Sequence, residues 1–231
     1  MKLFSLSGCL MGCFLGLAFS HPAPILAQQS GTSPSSPGAT PAALVLSKSL
    51  PSNGTLVLIL NVGDLRVIPT PEANRLRLEI RGDASMEEER SWVKEFEVSG
   101  NRAKIEIHAP KDREHCVSCY ASREITIYIP KHTAIKLDVG IGDVAIGGIM
   151  GDKQVRTGIG DLRIAVGDRK EYGQVDLSTR IGDINDSVYQ SQPQGFLGKT
   201  ETITREGQYH LRAHVGIGDL KLVPENSKAS E

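Results

Sequence analysis

Aromatic residues make up only 5% of this 231-residue chain, and Trp92 is its single tryptophan. That scarcity argues against a sugar-stacking platform built from rings. An excess of one charge is missing as well. The chain has 26 Lys and Arg against 27 Asp and Glu, a formal net charge of −1, with the basic residues spread along its length. It therefore carries no electrostatic footprint for nucleic acid. After the first 27 residues no apolar run is long enough to span a bilayer. No Ser/His/Asp arrangement can be proposed from spacing, and no pair of carboxylates stands in a distinctive context. Gly195-Phe-Leu-Gly198-Lys199-Thr200 ends like a phosphate loop, but Pro193 stands where the first glycine belongs and no strand–loop–helix pattern frames it. The expectation is a protein with no catalytic residues and no cofactor.

Cysteine is scarce, and two of the four lie in a targeting segment. Met1-Lys2 supplies a short positive start, Leu3 to Phe19 is apolar, and small residues at 18–20 and 25–27 offer cleavage points. This reads as a signal peptide over 1–27, cleaved after Ala27, so the mature chain is expected in the periplasm or at the cell surface. Leu6-Ser7-Gly8-Cys9 looks like a lipobox, and Leu10-Met11-Gly12-Cys13 is a poorer copy. Apolar sequence continues past both, so a lipoprotein is the alternative. Contact with a membrane is expected only through the signal or such a lipid anchor.

The remaining pair, Cys116-Val-Ser-Cys119, leaves the cytosol with the mature chain. In an oxidising compartment a short-loop disulfide is the expected state. A redox role would need a thioredoxin-like strand–helix–strand setting, and here a plain strand, Glu124 to Ile129, follows instead. His108 and His115 would complete a zinc set only on loose spacing. A periplasmic thiol-redox or metal-binding protein using Cys116 and Cys119 is the alternative function.

What the chain does have is alternation. Residues 28–43 are rich in Ser, Pro, Gly and Thr and read as a disordered linker. From Leu44 onward apolar residues recur at every second position: Leu76, Leu78 and Ile80, then Ile105 and Ile107, then Ile125, Ile127 and Ile129. That is the period of half-buried strands. Ser99-Gly100-Asn101 suggests a hairpin turn. Ser85-Met86-Glu87-Glu88 has capping-box spacing, and Met86, Val93 and Phe96 fall near one helical face, so a short helix is expected there.

The informative feature is a repeated break in this period. Apolar residues step by two through Leu137, Val139 and Ile141, jump by three across Gly142-Asp143, and resume at Val144 and Ile146. The same jump occurs at Gly160-Asp161, Gly182-Asp183 and Gly218-Asp219, with an outlying copy at Gly63-Asp64. A straight strand would turn every later side chain to the opposite face. Both halves can face one core only if the chain bends at Gly-Asp, where glycine tolerates positive φ and Asp can bond nearby N–H groups of its own turn. Asp143, Asp161 and Asp183 follow one another at 18 and 22 residues, about one coil of a β-solenoid. The stacked carboxylates invite a calcium reading, but order and period differ from the calcium-solenoid pattern, so turn bonding is preferred.

The run from Lys136 to Val166, with its repeated Gly-x-Gly-Asp-[Val/Leu]-x-Ile, resembles the putative-adhesin, β-strand-repeat family of bacterial envelope proteins. The segment from Gly54 to Val67 resembles the opening strands of that family, and Ile127 to Lys131 the strand leading into its repeats. The resemblance spans residues 50–223 and implies a repetitive β architecture in the envelope. The expected fold is all-β: antiparallel strands and one short helix over 44–130, a Gly-Asp repeat built as a β-solenoid over 131–224, and a tail over 225–231. The expected function is a non-enzymatic envelope module, adhesin-like or structural. Its partner is an unknown protein or another envelope or surface component.

Overall fold

The computed structural model describes residues 43–82, 84–108 and 123–225. The signal peptide, residues 28–42 of the linker, Cys9, Cys13, His115, Cys116, Cys119 and residues 226–231 lie outside the described residues.

Among the described residues sixteen strands and one helix follow in order. They are β1 (Leu44–Ser49), β2 (Thr55–Val62), β3 (Asp64–Pro69), β4 (Arg75–Arg81), α1 (Met86–Trp92), β5 (Val93–Ser99), β6 (Arg102–Ile107) and β7 (Glu124–Ile129). Then come β8 (Ala134–Ile141), β9 (Val144–Ile146), β10 (Lys153–Ile159), β11 (Leu162–Val166), β12 (Tyr172–Ile181), β13 (Ile184–Asp186), β14 (Lys199–Thr204), β15 (Tyr209–Ile217) and β16 (Leu220–Pro224). They form two open eight-stranded mixed sheets. One runs β1-β4-β7-β3-β9-β11-β16-β13, the other β14-β12-β15-β10-β8-β2-β6-β5. Below these are the first and second sheets.

Each Gly-Asp break carries the chain from the second sheet into the first: β2 to β3, β8 to β9, β10 to β11, β12 to β13 and β15 to β16. The alternating apolar residues on either side then belong to one core, with Leu56, Leu58 and Leu60 of β2 and Leu65 and Val67 of β3 all fully or almost fully buried. Burial of this continuous apolar layer is the dominant force holding the two sheets together.

Pairing among the corner strands is parallel and in register. Leu137 pairs with Val155 and Val155 with Ala213 in the second sheet, while Val144 pairs with Leu162 and Leu162 with Leu220 in the first. Parallel pairing also reaches the N-terminal region. β2 lies parallel to β6 and β8, and β3 parallel to β7 and β9. This corrects the expectation of antiparallel strands over 44–130, which holds only for β1–β4, β4–β7 and β5–β6. The alternation of a half-buried strand is the same for either pairing direction, so it does not distinguish them.

The spatial order of the corners is not their order in the chain. β15 inserts between β10 and β12, so the stack runs Gly63, Gly142, Gly160, Gly218, Gly182. β12 pairs with β15 on one side and receives β14 as an antiparallel edge on the other.

The helix forms where capping-box spacing predicts it. Ser85 is the N-cap, its hydroxyl accepting from Glu88 N at 3.3 Å, and Glu87, Glu88 and Glu89 fill the first turn where the helix dipole favours anions. Its buried face differs from the expected one. Glu89 and Trp92 are buried, Met86 is 52% exposed, and Val93 and Phe96 belong to β5. The Arg123 guanidinium lies 3.6 Å from the centre of the Trp92 ring. Among the described residues no helix is long and apolar enough to cross a membrane.

Candidate functional site

The five Gly-Asp corners share one geometry. Gly63, Gly142, Gly160, Gly182 and Gly218 have φ between +132° and +139°, a region that strains any residue with a Cβ. Close approach adds a second constraint: a Cβ on Gly160 would lie 2.2 Å from Gly142 O.

The main-chain ladder continues across the corners on both sides of each aspartate. Gly142 N donates to Ile159 O and Val144 N to Asp161 O, and the same pair of bonds recurs at the other steps. The aspartate N–H between them has no carbonyl to meet, and a carboxylate takes it. Asp143 N donates to Asp64 Oδ1 (3.0 Å), Asp161 N to Asp143 Oδ1 (2.8 Å), Asp219 N to Asp161 Oδ1 (2.9 Å) and Asp183 N to Asp219 Oδ1 (2.9 Å). The carboxylates of Asp64, Asp143, Asp161 and Asp219 thus each serve the neighbouring corner, which corrects the expectation that Asp bonds within its own turn. The ladder is closed at both ends. Asp64 N donates to Arg123 O at 3.0 Å, and the terminal Asp183 carboxylate is paired with Lys199 Nζ.

Immediately before four of the five corners stands an isoleucine, with Val62 before Gly63, and at the isoleucines the expectation of a core position fails. Ile141, Ile159, Ile181 and Ile217 are 47–53% exposed. The chain turns at the next residue, so these side chains sit on the rim rather than between the sheets. Register stacks them in the order Ile141, Ile159, Ile217, Ile181.

On the outer face of the second sheet the same register aligns three further rows. Lys136, Gln154, Arg212 and Asp176 form one, and Asp138, Arg156, His214 and Ser178 the next. Gly140, Gly158 and Gly216 form the third beside the corners, and a Cβ on Gly158 would lie 2.4 Å from Gly140 O. The glycines floor a shallow depression of about 470 Å³ bordered by Arg156 and His214 on one side and Ile181 and Ile217 on the other, with Arg180 at the end of the glycine row. Ser178 Oγ and His214 Nδ1 are 2.9 Å apart, and Arg212 Nη2 and Asp176 Oδ2 3.6 Å. Sequence reasoning missed the Ser178–His214 contact because its partners are 36 residues apart and meet only through the register of β12 and β15. Among the described residues no carboxylate bonds to His214.

Among the buried ionisable groups away from this face are Lys153 and Glu201. Lys153 points into the core, donating to Ile149 O at 2.7 Å and to the Tyr172 hydroxyl, and burial lowers its pKa to about 8. Glu201, the one buried residue of β14, has its pKa raised to about 7, first by burial and then by hydrogen bonding to and repulsion from Asp186. Asp186 is itself held by N–H groups of Val188, Tyr189 and Ser191. His108 Nε2 is 3.2 Å from Glu106 Oε1, while its supposed partners Cys116 and Cys119 lie outside the described residues. Among the described residues no group of three or more His, Cys, Asp or Glu is arranged to hold a metal ion.

No family model matches the sequence, and no curated protein matches it. Two solved structures are similar to it. One is a putative cell adhesion protein from Clostridium sporogenes ATCC 15579, with 18% identity and a TM-score of 0.49, the match covering 79% of this chain and 100% of that one. The other is a putative adhesin from Bacteroides fragilis NCTC 9343, with 14% identity and a TM-score of 0.35, covering 80% of this chain and 100% of that one.

Proposed function

We propose that this chain is a non-enzymatic cell-envelope β-repeat module, exported to the periplasm or cell surface, that acts by adhesin-like binding of a protein or envelope component. One observation carries this reading: the outer face of the second sheet is a rigid surface of register-locked rows, with Lys136, Arg156 and Arg212 interspersed with Asp138 and Asp176. Strand spacing of about 4.8 Å repeats these groups along the stack, which suits an extended ligand lying across the strands. In architecture the corner strands are read as short solenoid-like coils, each contributing one strand to each sheet. Cys116 and Cys119 are proposed to form a short-loop disulfide.

Cell fractionation with protease shaving of intact cells tests this reading. Surface exposure of the mature chain, together with weaker attachment to an immobilised envelope fraction after Arg156→Glu and Arg212→Glu, is the expected result. A soluble chain protected in the periplasm would remove adhesion. Reactive thiols or bound metal in the native protein would favour the alternative at Cys116 and Cys119.

A further inference from the structure

The stack of corners has one end that the repeat does not close by itself. At each interior step an Asp carboxylate receives the N–H of the next Asp, but Asp183 is last in the row, and its carboxylate is paired with Lys199 Nζ instead. Beside it the outer edge of β12 is covered by β14, antiparallel to a strand whose other pairing, with β15, is parallel. β14 therefore stands where a further layer of the stack would lie. A stacked β array needs a cover at its end, because an open strand edge invites pairing with another chain.

This cover is held by little apolar burial. Glu201 is the one buried residue of β14, and Ile203 packs against the core only in part. Glu201 is the cross-strand partner of Leu177, a position where an apolar side chain would suit the core and a carboxyl group must be satisfied. Ser191 Oγ donates to Glu201 Oε1, while Oε2 is buried with no donor among the described residues. Asp186 lies within hydrogen-bonding reach of Glu201. Its own oxygens already accept from Val188 N and Tyr189 N, both at 2.9 Å, and from Ser191 N at 3.3 Å. Two carboxylates this close repel each other, whereas a proton on Glu201 makes it a donor to Asp186.

The surroundings supply no counter-charge. β12 presents Leu177, flanked by Val175 and Thr179 in the neighbouring pairs. On β14 itself Lys199 is engaged by Asp183, and beyond the strand the Arg205 guanidinium lies 5.2 Å from the centre of the Tyr189 ring. Asp186 of β13 is the charged group that acts on the Glu201 carboxyl. The segment carrying β14 is anchored at both ends without Glu201. Asp186 gathers the three N–H groups before it, and after it Gln208 N and Tyr209 N donate to Glu171 O at 3.0 and 2.9 Å.

We propose that β14 is a releasable cap on the end of the stack, latched by the Glu201–Asp186 carboxyl pair while Glu201 keeps its proton and loosened when Glu201 ionises. Release uncovers the β12 edge from Gln174 to Thr179 and frees the Asp183 carboxylate, the group that at every other layer receives the next corner. The direction of the pH dependence follows from burial, which with Asp186 raises the Glu201 pKa to about 7 from 4.5. The docked strand holds the proton more tightly than the released one, so the latch is complete below about 4.5 and is lost as pH rises through about 7. This capping role goes beyond the binding function proposed above and does not rest on it.

Hydrogen exchange of the mature chain at pH 5 and pH 7.5 tests it, read as protection factors so that the intrinsic pH dependence of exchange divides out. The β14 amides bonded to β12 are expected to be less protected than those of β10 and β15 at both pH values. Between the two they should lose at least about tenfold in protection. Glu201→Gln keeps a neutral group at the latch, and Glu201→Leu sets an apolar one against Leu177. In both variants β14 should be equally protected at the two pH values, with retained protection in β10 and β15 showing that the variants are folded. If β14 exchanges only together with β10 and β15, the opening is global and the proposal is overturned. Wild-type β14 protection that does not change with pH overturns it as well. So does a loss that persists in both variants, since it assigns the pH dependence to another group.

Discussion

Asp161 shows what a single residue does at a corner. It lends its carboxylate to the Asp219 N–H and its own N–H to Asp143, so it belongs to two steps of the ladder at once. Asp161→Ala leaves the Asp219 N–H without that acceptor and is expected to cost about 1–3 kcal/mol. Asp161→Asn keeps an oxygen there and should cost less; denaturant unfolding of both variants checks the order. Gly160→Val combines a φ of +132° with a Cβ 2.2 Å from Gly142 O, and should destabilise by more than about 2 kcal/mol. Wild-type stability in that variant would rule out the corner geometry. The glycines were legible because a period of two cannot jump by three without a bend. The carboxylate partners were not, because each acceptor lies one layer away in space and 18 to 79 residues away in the chain.

At the scale of elements, β14 depends on pH through Glu201. The folded state holds the Glu201 proton more tightly than the unfolded chain does, with a pKa of about 7 against the usual 4.5. Between those values the native state binds more protons, so stability falls as pH rises through that window, with no further loss from this group above about 7. Glu201→Gln should flatten this slope, which melting temperatures of both proteins from pH 4 to 8 will show. Helix α1 gives a second case. Ser85→Ala removes the acceptor for Glu88 N and should cost about 1 kcal/mol, seen as a lower unfolding midpoint. The cap was legible, since its donors and acceptors are neighbours in the chain. The end of the helix was not. Val93 and Phe96 continue the apolar spacing, but antiparallel pairing of β5 with β6 takes them into the sheet.

For the whole molecule the decisive feature is the insertion of β15 and β16 between strands that precede them in the chain. Deleting residues 208–225 would not trim an end coil; it would separate β12 and β13 from β10 and β11. The expected result is loss of cooperative unfolding, with hydrogen-exchange protection reduced in β12 as strongly as in β10. If β12 stayed protected and stably folded in that variant, the insertion order would be wrong. Most pairings join strands far apart in the chain, which also predicts slow folding, read by stopped-flow refolding.

The sequence by itself determined the strands, the bends at Gly-Asp, the helix cap at Ser85 and the β5–β6 turn at Gly100. These follow from local rules: side-chain alternation, glycine's freedom at positive φ, and capping by a neighbouring hydroxyl. Only the tertiary structure decided which strands pair, in what direction and order, and therefore which side chains share a surface. The isoleucine rim, the carboxylate ladder, the glycine floor and the Ser178–His214 contact all arise from register between distant strands. Alternation records which face a residue takes but not which neighbour stands beside it, so that information appears only once the core has chosen its stacking order.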